Sequence, residues 1–173
     1  VHLLFINLLT DSLPALAIGM EPADDSLLKE KPRDPKTGIL TGDFLRKMLV
    51  EGALIAAASI WAYGTGYAVS PAKASTMAFA TLTLARLFHG FNCRGNESIF
   101  RLGLRSNKYS IYAFAAGIFF LGLVLALPAL HGVFEIAPLA AADLGRIAGL
   151  AFAPTGVIQL FRVLRGRFSG KRA

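Results

Sequence analysis

The chain has 173 residues, 54% of them hydrophobic and 17% charged, with a mean hydropathy of +0.54 and a net charge of +7. That balance excludes an ordinary soluble domain and makes the lipid bilayer the default solvent. The basic residues lie in three separate stretches without a recognition motif, which excludes a nucleic-acid module, and the single Cys93 excludes an internal disulfide.

Five apolar runs, roughly 1–19, 44–66, 72–92, 109–130 and 143–164, are each about long enough to cross ~30 Å of hydrocarbon. They predict an all-α fold, a polytopic membrane bundle of five transmembrane helices. The first run starts at Val1 without an initiator Met, a charged n-region or a small-residue cleavage site, so it is no signal peptide and reads as a segment of something longer. Within it, Asn7, Thr10 and Asp11 stand at i, i+3 and i+4, which on a helix crowds them onto one face. Pro14 has no N–H and leaves the carbonyl of Thr10 without its helical donor. An amide, a hydroxyl, a carboxylate and a free carbonyl are oxygens of the kind a hard cation such as Ca²⁺ gathers, and a broken helix at membrane depth exposes backbone to an ion. Hydrogen bonding between helices is the competing use of these groups, but an intramembrane carboxylate is costly and by default functional.

The connection 20–43 is polar and proline-bearing and reads as an ordered loop. Its DPKTG, Asp34 to Gly38, superficially resembles the phosphorylated-aspartate motif DKTG, but Pro35 interrupts it, so Asp34 reads as loop. In the second run Glu51 follows Lys47 by four residues, the spacing of a pair whose two ends snorkel to the headgroups. The last run carries Gly145, Gly149 and Ala153 at four-residue spacing, a face that lets another helix approach closely, and Pro154, which opens the ladder locally with Thr155 or a neighbouring helix to compensate. His2, His89 and His131 form no metal-ligand spacing with Cys93. Lys and Arg concentrate in the first loop, in the loop 93–108 and in the tail 165–173, while the other two connections are poor in them. Short basic loops stay inside, so these stretches and the C-terminus face the cytoplasm, and their charge meets anionic headgroups.

The residues NLLTDSLPALAIGMEP closely resemble the sixth transmembrane helix of P-type calcium ATPases of the sarco/endoplasmic reticulum type. KPRDPKTGILTG is similar to that family's loop before the seventh helix, FNCRGNESIF to the end of its eighth, and LAFAPTGVIQLFRVLRG to its tenth. The resemblance implies that residues 1–173 are the C-terminal membrane domain, helices six to ten of a ten-helix transporter. It also implies that Asn7, Thr10 and Asp11 ligate Ca²⁺, with further ligands on helices four and five outside these residues. One family ligand, a Glu on the eighth helix, aligns with Arg86. A buried Arg keeps its proton and needs a counter-charge, for which Asp11 is the candidate. Arg86 would then hold one of two family sites as a tethered positive charge and leave one Ca²⁺ per cycle. In the competing reading Arg86 snorkels to the headgroups. His89, one turn from Arg86, either lines the same pocket or packs against it, and packing is the expectation.

The expected function is therefore the membrane part of an ATP-driven Ca²⁺ efflux pump, with proton counter-transport on Asp11, in a bacterial plasma membrane. No catalytic or cofactor-binding residue is expected in this chain. ATP, Mg²⁺ and the phosphoryl-transfer machinery belong to other domains of the ATPase, the expected partner besides the bilayer, and the chain alone should be inactive. A pump for Mn²⁺, or a non-catalytic membrane anchor, are the alternatives.

Overall fold

A computed structural model describes residues 1–21, 38, 40–95 and 98–169. Asp34 and most of the first loop lie outside the described residues, as do Asn96, Glu97 and the last four positions of the tail. The first rod is built of α1 (His2–Phe5), a π-helical segment (Ile6–Asp11) and α2 (Ser12–Gly19). It is followed by α3 (Gly42–Tyr67), α4 (Pro71–Asn92), the short α5 (Ile99–Leu102), α6 (Lys108–Ala126), α7 (Pro128–Phe134) and α8 (Ala141–Ser169). No strand occurs among the described residues, and the fold is an all-α bundle.

Local chemistry sets the helix starts. The side chains of Thr41 and Ser70 accept from the N–H groups of Phe44 and Lys73, and Asn107 Oδ1 accepts from Ser110, each satisfying a first-turn donor. Pro71 occupies the first turn of α4, where its missing N–H costs nothing. The fourth expected helix, 109–130, is divided. Leu127 is extended, with ψ 112°, because Pro128 disfavours the α conformation in the residue before it, and α7 starts afresh at the proline.

Four segments, His2–Gly19, Gly42–Tyr67, Lys108–Ala126 and Ala141–Gly166, are long and apolar enough to cross a membrane on composition alone. α4 is 22 residues long but less apolar, since it carries Thr76, Thr81, Thr83, Arg86 and His89. Its position explains this. α3, α6, α8 and the first rod all pack on it, and ten of its residues are buried. A helix walled by protein rather than lipid can hold hydroxyls and charge.

α8 corrects one expectation. Gly145 and Gly149 have open space within 4 Å and Ala153 is exposed, so the small-residue stripe is not the packing face within the described residues. The covered face is Asp143, Ile147, Ala151, Thr155 and Ile158, whose polar members have partners on α4. Four-residue spacing identifies a stripe, but not whether a neighbour lies over it.

Among the described residues a close approach of backbone to backbone occurs at Gly66, where a Cβ would lie 2.7 Å from Ala74 Cα and 2.9 Å from Lys73 O. Gly64, two residues earlier, faces open space. Gly66→Ala should therefore push α3 from α4 and cost about 1–3 kcal/mol of stability, as overpacking does. Gly64→Ala should be neutral or slightly stabilising, and thermal unfolding in detergent of the two variants side by side checks the contrast.

Candidate functional site

The candidate site lies where the first rod stops being an α-helix. A π turn inserts an extra residue into the ladder, and such turns cluster at functional positions. Here the wider turn spans Ile6–Asp11 and Pro14 follows it, so two successive ladder irregularities fall around the polar residues. Two hydroxyls turn back on the loosened backbone. Thr10 Oγ1 donates to Ile6 O at 2.7 Å, and Ser12 Oγ donates to Asn7 O at 3.1 Å.

α4 runs alongside in the same direction. Phe79 packs on Phe5 with ring centroids 5.7 Å apart, Arg86 meets Asp11, and Gly90 lies against Pro14, where a Cβ would sit 3.2 Å from Pro14 Cβ. The bare Gly90 lets the first rod lie close on α4, and the same pair of elements brings Asp11 to Arg86. Arg86 Nη2 donates to Asp11 Oδ2 at 2.7 Å, with 39% and 34% of the two side chains exposed. At ~4 Å and an effective dielectric of ~20 such a pair gains about 4 kcal/mol of Coulomb energy, and partial exposure screens it further.

The structure thus brings Asp11 and Arg86 together, with Pro14 beneath them. It separates the other two candidate residues. Thr10 is 2% exposed and turned into the bundle, whereas Asn7 is exposed. The single face expected from α-helical spacing assumed 3.6 residues per turn, and the wider π turn spreads these side chains. No group of three or more His, Cys, Asp and Glu that could hold a metal occurs among the described residues. Thr10, Asp11 and the backbone oxygens of the π turn are hard oxygens of the kind a cation such as Ca²⁺ takes, too few by themselves to fill its shell.

Two further polar clusters escaped the sequence reading. Glu51 does not snorkel outward: only 13% of its side chain is exposed, and its carboxylate faces Arg162 Nη2 at 3.3 Å and His89 Nε2 at 3.5 Å. His89 accordingly belongs to this cluster and not to the Arg86 pocket. Arg162 also donates to the carbonyls of Asn92 and Gly95, while Gln159 Nε2 donates to Asn92 Oδ1 at 2.6 Å and Asn92 Nδ2 to Thr155 Oγ1 at 3.2 Å. Thr155, expected to compensate Pro154, is thus an acceptor that ties α8 to α4.

The second cluster holds the end of the first rod. Arg94, with 1% of its side chain exposed, grips Glu21 bidentately: Nε donates to Oε2 at 2.9 Å and Nη2 to Oε1 at 2.7 Å. Asn107 Nδ2 donates to Ala17 O at 2.8 Å and to Glu21 Oε2 at 2.6 Å. The only signal in the sequence was that an Asn in front of a helix is a cap, which says nothing of its second hand. The hydrogen bond from Arg94, joined by Asn107, holds the Glu21 carboxyl below its ordinary value of 4.5.

Residues 1–164 match the family described as cation transporting ATPase, C-terminus. Among known proteins, a calcium-transporting ATPase of Listeria monocytogenes is 38% identical over 170 residues, covering 97% of this chain and 19% of its own length. A calcium-transporting ATPase of Bacillus subtilis is 36% identical over 158 residues, 90% of this chain and 18% of its own. The human calcium-transporting ATPase type 2C member 1 is 30% identical over 154 residues, 87% and 17% respectively. The chain spans about a fifth of the length of the curated relatives it matches.

The Glu21 clamp has a pH signature. A carboxyl whose folded value is depressed contributes stability that is full above its unfolded value and is lost as pH falls through the folded one. The wild type should therefore lose stability as pH drops below about 4.5, the ordinary Glu value. Glu21→Gln should be less stable at neutral pH, and its loss on acidification should be shallower, which thermal midpoints across acid and neutral pH will show.

Proposed function

The chain belongs to the cation transporting ATPase C-terminus family, and from that premise we propose that it is the membrane part of an ATP-driven Ca²⁺ efflux pump that carries part of the intramembrane ion site. The observation that carries this reading is the Asp11–Arg86 pair at a π turn followed by Pro14. An ion pump needs oxygens that can be offered and withdrawn, and a helix with a loosened ladder provides them at low cost. In this reading Asn7, Thr10 and Asp11 are the chain's ligands, and Asn7 comes onto the side of Thr10 when the π turn rewinds to α-helical pitch. The exposed side of Asn7 and Asp11 faces helices encoded outside these 173 residues, which complete the shell. Relatives that bear the name calcium-transporting ATPase support Ca²⁺ as the cargo.

Arg86 gives the site its stoichiometry. A guanidinium on Asp11 repels a second divalent cation and takes its place electrostatically, so one Ca²⁺ travels per cycle. When the ion leaves, Asp11 takes a proton and returns it, which makes the exchange Ca²⁺ against H⁺. Phosphorylation, with ATP and Mg²⁺, occurs in other parts of the pump and reorients the first rod, while α3 to α8 act mainly as scaffold. The basic loops and the C-terminus face the cytoplasm of a bacterial cell, and the bundle sits in its plasma membrane.

Two substitutions in the full-length pump test this. Asp11→Asn should weaken Ca²⁺ binding at least about tenfold, since a charged ligand becomes a neutral one. Arg86→Glu should raise the number of Ca²⁺ ions bound per pump from one to two, measured by equilibrium binding. Wild-type affinity in the first variant would remove the site assignment, and an unchanged count in the second would remove the role of Arg86.

A further inference from the structure

Buried polar atoms in a native fold have partners, and an exception points to something that arrives in another state, such as a water or an ion. α4 contains such an exception beside the candidate site. Thr83 is 0% exposed and its Oγ1 has no hydrogen-bond partner among the described residues. A helical threonine ordinarily donates to the carbonyl one turn back, as Thr76 does to Ala72 at 3.0 Å; Thr83 does not, and neither does Thr81, so the two are told apart by the face of α4 on which each lies.

The register of α4 shows where this hydroxyl lies. At about 100° per residue, Phe79, Thr83, Arg86 and Gly90 share one face of the helix. Phe79 touches Phe5, Arg86 touches Asp11, and Gly90 lies against Pro14. Thr83 is therefore between the aromatic contact and the ion pair, opposite the π turn, on which α4 packs directly. Thr10, the buried hydroxyl of that turn, already gives its proton to Ile6 O and so keeps its lone pairs for another group. Thr81, the other unpartnered threonine, is two residues away and hence on the far side of α4, so it takes no part.

We propose that Thr83 is a further ligand of the transported divalent cation, supplying its hydroxyl oxygen from α4 across the π turn from Thr10 and Asp11. The inference rests on the reading of Asp11 as an ion ligand and adds to it a donor on a different helix. It gives α4 two roles one turn apart: Arg86 closes one position to a cation, and Thr83 furnishes the other. No covalent step is involved, and the hydroxyl keeps its proton.

The test uses the full-length pump, Ca²⁺ alone as the probe, and equilibrium binding with thermal unfolding in the absence of Ca²⁺. Thr83→Val keeps the shape and removes the oxygen, Thr83→Ser keeps the oxygen, and Asp11→Asn is run alongside. Thr83→Val should raise the Ca²⁺ concentration for half-saturation about tenfold, and Thr83→Ser should stay within about threefold of wild type. Without Ca²⁺, Thr83→Val should unfold at the wild-type temperature or above it, because an unpartnered buried hydroxyl has been replaced by a methyl group. Wild-type affinity in Thr83→Val with weakened binding in Asp11→Asn would overturn the role of Thr83 and leave the ion site standing. Undiminished binding in Asp11→Asn would overturn the site and this inference together. Equal losses in the Val and Ser variants, or a fall in Ca²⁺-free stability of Thr83→Val, would mean that the residue only packs, and would overturn the inference as well.

Discussion

A carboxylate held within a hydrocarbon slab must be matched by a cation, and the contact between Asp11 and Arg86 is that match in this chain. Much of the architecture follows from bringing the two together. The first rod must lie close against α4 around its π turn and Pro14, and α4 must offer no obstacle there, which Gly90 ensures. α4 must also be shielded from lipid if it is to hold a guanidinium and three buried threonines. Its central place among α3, α6, α8 and the first rod provides the shield. The helix that carries three buried threonines and a guanidinium is thus the one enclosed by the others.

The same logic governs the two ends of the bundle. Near Asn92, the Glu51 carboxylate and the Arg162 guanidinium neutralise each other within a web of amide and hydroxyl groups that joins α3, α4 and α8. At the other end of α4, Lys73 meets Asp143 at 2.6 Å and links the start of α4 to the start of α8. Charged pairs in water contribute little, but in a membrane fold each partner has few alternatives. These pairs therefore act by specifying which helices are neighbours.

Much of this was legible in the sequence, and the boundary is instructive. The five helical segments could be read because apolar runs of fixed length have few other uses. The break in the helical ladder was readable from Pro14, and the Asp11–Arg86 contact from the resemblance that singled out Arg86 together with charge balance, since an Arg within an apolar run has to find a carboxylate. What failed was geometry that depends on a neighbour or on a local change of helical pitch. Asn7 and Thr10 share a face only if the helix is α, and it is not. Glu51 was assigned to the near residue Lys47 because spacing along one helix is visible, whereas Arg162 lies on another element. The Gly145 stripe and the break at Leu127 failed for related reasons: a small-residue pattern does not reveal its covering partner, and a long greasy run masked the effect of Pro128.

Both ends of the first rod are fastened. Its start is stacked into aromatic rings, His2 on Phe79 at 4.3 Å and Phe5 edge-on to Phe134, and its end is gripped by Arg94 and Asn107. A beam clamped at each end and weakened at mid-span can only bow at the weak place. Force applied along this beam from either terminus would thus be delivered to the six residues Ile6–Asp11 as a change of winding, leaving the terminal clamps where they are.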